Sequence, residues 1–117
     1  MRALNGLLLA VLLLFAAVQY NDPDGPLWLA IYGTGALWTG LAALRPGLSG
    51  RPAARAGLAL SLAAALAGLA WYWPATPGWW RQEVWWETET AREGMGMMIV
   101  VASLAAAALV AFRRRAA

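Results

Sequence analysis

Asn21, Asp22 and Asp24 place two carboxylates and an amide carbonyl within one short string, Gln19-Tyr20-Asn21-Asp22-Pro23-Asp24-Gly25-Pro26. Oxygen donors at that density suit a hard cation such as Ca²⁺ or Mg²⁺. The spacing falls short of an EF-hand loop. The same residues also make a turn: Asn or Asp ahead of Pro starts one. Either Asp would cap a following helix that carries Pro in its first turn. The cap-and-turn role is the expected one. A second polar segment, 81–93, holds Glu83, Glu87, Glu89 and Glu93 with Arg81 and Arg92. On a helix, Glu83 with Glu87 and Glu89 with Glu93 are like charges four residues apart, which repel by roughly 0.2–0.5 kcal/mol per pair. A cation, an arginine or a partner would offset that. Thr90-Ala91-Arg92-Glu93 also reads as a capping box ahead of a helix. The candidate metal ligands are thus Asp22, Asp24, Glu89 and Glu93. Arg92 is the candidate clasp, pairing with Glu89 or reaching across to Asp22 or Asp24.

Composition removes much other chemistry. The chain has no cysteine and no histidine, and all nine of its basic residues are arginine. Disulfides, thiolate metal sites, imidazole proton shuttles and lysine Schiff bases are therefore excluded. No Ser-His or Cys-His pair can exist, so no catalytic residue is assigned and the chain is read as not an enzyme. Met95, Met97 and Met98 would offer soft ligands to Cu(I), but Met in an apolar run is usually packing.

Four apolar runs must position these polar segments. Hydrophobic residues make up 62% of the 117 and charged ones only 13%, half what a soluble domain carries. A spanning helix needs roughly 20 apolar residues, with 17 to 25 allowed. The runs predict spans over 3–20, 27–44, 56–73 and 94–112, with outer loops 21–26 and 74–93 and a cytoplasmic loop 45–55. A cleaved signal peptide over the first run is the weaker reading, because the small-residue cleavage pattern is poor. Every span must satisfy its own backbone, so each is a helix. Arg2, Arg45, Arg51, Arg55, Arg113, Arg114 and Arg115 then share one side with no acid among them. All six acids fall on the other. The positive-inside rule puts both termini in the cytoplasm. The pI near 10 reflects these anchors and not a nucleic-acid site. Most of the eight tryptophans fall at or near the outer end, where interfacial aromatics belong. Trp28, Tyr32 and Thr39 share one side of the second span. Small residues at four-residue spacing (Gly57, Ser61, Ala65; Ala36, Gly40; Ser103, Ala107) would let helices approach closely. The short link at 45–55 predicts that the second and third spans are neighbours.

The string Gln19 with Asn21-Asp22-Pro23-Asp24 resembles the transmembrane protein 220 family. So do Trp28 and Tyr32, then Leu44, Pro46 and Gly50, and the run Glu89, Arg92, Glu93, Gly96. The resemblance covers most of the chain in span order. It implies a small multi-span helical membrane protein and supplies no mechanism. The pairs Trp79-Trp80 and Trp85-Trp86 lie outside it.

The expectation is one all-α domain over 1–117, a four-helix transmembrane bundle, antiparallel and up-down, in the plasma (inner) membrane. Asn21, Asp22, Asp24, Trp28, Tyr32, Glu89, Arg92 and Glu93 form its outer site. Its role would be structural or accessory, through an acidic, Trp-rich face that binds a membrane protein partner, lipid headgroups or a divalent cation. Self-association as a homo-oligomer is the other partner expectation. No cofactor is assigned beyond Ca²⁺ or Mg²⁺. No charged residue lies within a span, which argues against a charge-coupled carrier. The competing classes are a small oligomeric transporter or channel lined by Thr and Ser, and a metal-assisted enzyme at the outer leaflet.

Overall fold

A computed structural model describes residues 1–21 and 23–113. Helix α1 runs Arg2–Ala17 and continues as a 3₁₀ turn over Val18–Asn21. Then come α2 (Gly25–Leu44), a one-turn α3 (Pro46–Ser49), α4 (Pro52–Tyr72), a short α5 (Gln82–Glu87) and α6 (Glu89–Arg113). The described residues contain no strand. Three helices, α2, α4 and α6, are long and apolar enough to cross a membrane. The first apolar run is shorter as a regular helix: α1 has 16 residues.

Prolines set the helix starts. Pro26 lies in the first turn of α2, and Pro46 and Pro52 open α3 and α4. A missing N–H is harmless at those positions. The last helix starts a full turn earlier than its apolar run. It begins at Glu89, where the Thr88 carbonyl accepts the Arg92 N–H at 3.2 Å. Thr90 and Glu93 thus lie within the helix, and the capping box read from the sequence is not formed. Glu93 is left to serve the site below.

α1 packs antiparallel along α2, with Arg2 Nε donating to the Ala43 carbonyl at 2.8 Å. α6 lies against α2 on one side and α4 on the other. The second and third spans are neighbours, as their short link suggests, but they meet through long side chains rather than by close backbone approach. They are joined by side chains: Trp38 Nε1 donates to Ser61 Oγ at 3.0 Å, and its ring covers Gly57. That indole keeps the helices apart and leaves a groove of about 410 Å³, walled by α2 and α4 and floored by α6. Small residues make the other contacts close, as packing in lipid requires. A Cβ at Gly35 would lie 3.0 Å from Leu12 Cδ1, and one at Gly68 would lie 2.9 Å from Met97 Cε.

The hydroxyls inside the spans are satisfied by their own helices. Thr34, Thr39, Ser61 and Ser103 each donate to the carbonyl four residues back, at 2.7–2.9 Å. Asn5 is fully buried, and its Nδ2 donates to the carbonyls of Met1 at 3.0 Å and Ala106 at 3.4 Å. It ties the start of α1 to the far half of α6. Arg55 stacks over Phe112 at 4.8 Å, so the start of α4 lies beside the end of α6. One end of the molecule thus gathers Arg2, Arg55 and Arg113, and the opposite end gathers Asp24, Glu89 and Glu93.

Candidate functional site

The acidic end is built by four elements. The turn after α1 brings Gln19 over the start of α2, where a Cβ at Gly25 would collide with the Gln19 carbonyl oxygen. Only glycine allows that approach. Gln19 Nε2 turns back to the Phe15 carbonyl at 3.1 Å. Asp24 occupies the N-cap position of α2, but its side chain makes no capping bond. The cap role expected for it is thus met in place and not in bonding. Instead its carboxylate lies with those of Glu89 and Glu93: one oxygen from each falls within 4.8 Å of the other two. These are the groups that would hold a cation, drawn from both polar segments. Asp22 lies outside the described residues, as do the side chain of Asn21 and Arg114 and Arg115. Asn21 itself closes the 3₁₀ turn.

Trp28 and Tyr32 support the carboxylates from below. Both are buried, one turn apart on α2. Trp28 Nε1 donates to Glu93 Oε2 at 3.2 Å, a link between the two halves of the chain. The Trp28 ring packs 5.7 Å from Tyr32 and 5.2 Å from Tyr72, and Phe15 meets Tyr32 edge-on at 5.5 Å. Tyr32 reaches α6 at Gly96, where any side chain would displace its hydroxyl.

Arg92 is used locally. Its Nη1 donates to the Trp86 carbonyl at 2.6 Å and the Trp85 carbonyl at 3.2 Å, the free carbonyls at the end of α5. A cation there also suits the helix dipole. The guanidinium thus holds α5 against the start of α6. At the acidic end, the Trp28–Glu93 hydrogen bond links the two hairpins. Glu83 and Glu87 lie exposed on α5, outside the carboxylate cluster. Met95 lines the space at the acidic end, whereas Met97 packs on Gly68 of α4, so these two do not share a copper site.

Between these elements lies a cavity of about 520 Å³. Its polar wall is Glu89, Arg92 and Glu93, its aromatic walls are Trp28, Tyr32, Trp85 and Trp86, and its apolar wall is Phe15, Val18 and Ile99. A family described as "Transmembrane family 220, helix" matches residues 11–109. The chain belongs to this family. The transmembrane family 220 match begins within α1 and ends within α6, so it takes in every residue of the cavity, Trp85 and Trp86 included. No solved structure matches the chain.

The apolar wall was not visible in the sequence. Phe15, Val18 and Ile99 are ordinary members of apolar runs, and nothing in their spacing marks them. Gly96 carried a signal, since a glycine inside a helix marks a close approach when something large lies opposite.

Proposed function

We propose that this integral-membrane protein is an accessory protein that binds a lipid at its acidic end. The observation that carries this reading is the cavity between α1, α2, α5 and α6. Its walls are charged on one side and apolar on the other, which is the division an amphiphile has. At about 520 Å³ it falls within the usual range for a small-molecule site, roughly 300–1,000 Å³. The reading places four spans in the plasma membrane with both termini in the cytoplasm. Two features support it. Arg2, Arg55 and Arg113 gather at the end away from the acidic cluster, as the positive-inside rule asks. The molecule is 46 Å long, against a hydrocarbon core of about 30 Å, so both polar ends reach the headgroups. A cysteine introduced at Ala75 should then react with an impermeant reagent from outside intact cells. Labelling only from the cytoplasmic side would remove this topology.

Filling the cavity tests the binding itself. Val18 lines it and is exposed on its other side, so Val18→Trp should change stability by no more than about 0.5 kcal/mol. Native mass spectrometry of the full chain in mild detergent with a polar lipid extract should show a lipid adduct that Val18→Trp loses. No adduct on the unaltered chain would remove the reading. A polar path through a transporter has less support, because Thr39 and Ser103 are fully buried within one chain and bonded to their own helices.

The carboxylate cluster favours a second reading, a divalent cation held by Asp24, Glu89 and Glu93. Calcium ligands sit at about 2.3–2.6 Å, so such an ion would draw the three oxygens together and raise the melting temperature. A calcium or magnesium titration that leaves the melting temperature unchanged would dismiss it.

A further inference from the structure

The geometry points to a zwitterionic phospholipid with a primary ammonium, of the ethanolamine kind, as the occupant of the acidic-end cavity. This rests on the lipid-binding reading above and adds the identity of the headgroup. Three observations converge. The first is the arrangement of acceptors. Three groups accepting from one ammonium at about 2.8 Å, in tetrahedral directions, lie about 4.6 Å from one another. One oxygen from each of Asp24, Glu89 and Glu93 lies within 4.8 Å of the other two, with Glu89 and Glu93 lining the cavity and Asp24 adjoining it through them. Each carboxylate accepts more than one donor, so the bond from Trp28 to Glu93 Oε2 and an ammonium are compatible.

The second is the opposite charge one turn away. Arg92 spends Nη1 on the carbonyls of Trp85 and Trp86. Among the described residues its Nε and Nη2 make no hydrogen bond, and they suit a phosphate, an anion that guanidinium binds in a bidentate fork. An anionic headgroup would satisfy Arg92 but face the carboxylates. A purely cationic one would satisfy the carboxylates but face Arg92. The zwitterion matches both. Trp85 and Trp86 line the same space, and an ammonium gains further attraction over an indole face.

The third is the apolar wall of Phe15, Val18 and Ile99. It gives the first methylenes of an acyl chain a surface beside the headgroup. That favours a lipid over a free phosphoethanolamine.

The test uses the full chain in mild detergent, titrated by native mass spectrometry with dioleoyl phosphatidylethanolamine, phosphatidylcholine, phosphatidylglycerol and soluble glycerophosphoethanolamine. The expected order puts phosphatidylethanolamine first, about tenfold tighter than phosphatidylglycerol, the scale of one charge-assisted hydrogen bond lost. Phosphatidylcholine, which keeps the charge but has no N–H, binds more weakly, and the soluble headgroup does not compete at equal concentration. Glu89→Gln should lower phosphatidylethanolamine affinity about five- to tenfold, whereas Glu87→Gln, outside the cavity, should leave it unchanged. Phosphatidylglycerol or phosphatidylcholine binding as tightly as phosphatidylethanolamine overturns the headgroup assignment while lipid binding stands. Equal losses in Glu87→Gln and Glu89→Gln overturn it too, because general surface charge would then be the cause. A soluble headgroup that competes fully overturns the lipid source. If none of the lipids binds, the lipid-binding reading falls with it.

Discussion

Trp28→Ala is expected to destabilise the protein by about 3–5 kcal/mol, read as the fall in melting temperature in detergent. Trp28 is only 3% exposed. It is the keystone of the acidic end, because one side chain serves three partners on three helices. Its ring packs on Tyr32 of α2 and Tyr72 of α4, and its N–H reaches Glu93 of α6 at 3.2 Å. Alanine leaves a cavity that these helices cannot close without losing one another. It also leaves Glu93 without that donor. Trp28→Phe separates the terms: it keeps an aromatic ring and removes the N–H, so it should cost about 1.5–3 kcal/mol, the worth of a hydrogen bond to a charged group. The control is Trp71→Ala. Trp71 is 84% exposed, and its loss should stay within about 0.5 kcal/mol in detergent. Equal effects at Trp28 and Trp71 would mean that both act as interfacial anchors, and the keystone role would be lost.

That contrast shows what could be read from the residues and what could not. Composition and charge order place both tryptophans near the same end, because interfacial enrichment depends on residue type. Which of them faces inward depends on helix rotation, and α2 and α4 are apolar all round, so no polar stripe fixes it. The membership of the cavity was hidden for the same reason. The membrane character and the approach of Asp24 to Glu89 and Glu93 were legible, since charge is rare here and each occurrence carries information. Loop length foretold that α2 and α4 are neighbours, but not that long side chains bridge them. A seven-residue link from Arg45 to Arg51 looks short enough to hold α2 against α4. Trp38, which the sequence marks only as a deeper tryptophan, spans the space between them to Ser61. Arg92 was read as an ion-pairing residue, because charge suggests charge. Its hydrogen-bond partners are the backbone carbonyls of Trp85 and Trp86, and the end of a short helix supplies those without any sequence signature.

Gly96→Leu should be comparably severe, about 3 kcal/mol, for the opposite reason. At Trp28 the fault is a void, and at Gly96 it is an overlap. α2 and α6 run parallel at the acidic end, and Tyr32 lies across the gap between them. A Cβ at Gly96 would coincide with the Tyr32 hydroxyl and sit 3.3 Å from its Cζ. Tyr32 cannot swing aside, since it is held between Phe15 and Trp28 and is itself buried. Helix propensity works the other way, because replacing a helical glycine returns up to about 1 kcal/mol. A net loss would therefore show that the overlap outweighs it. Gly33→Ala supplies the reference, because a Cβ there meets nothing within 4 Å and should be neutral or slightly stabilising. Tyr32→Phe completes the cycle. It removes the oxygen that the new Cβ would strike, so Gly96→Ala should cost less in the Tyr32→Phe background than in the unaltered chain. Tyr32 and Gly96 both line the cavity, so this pair also sets how far α6 stands from α2 there. If the two substitutions prove additive in melting temperature, the helices are not in contact at this point, and the cavity they define loses its wall.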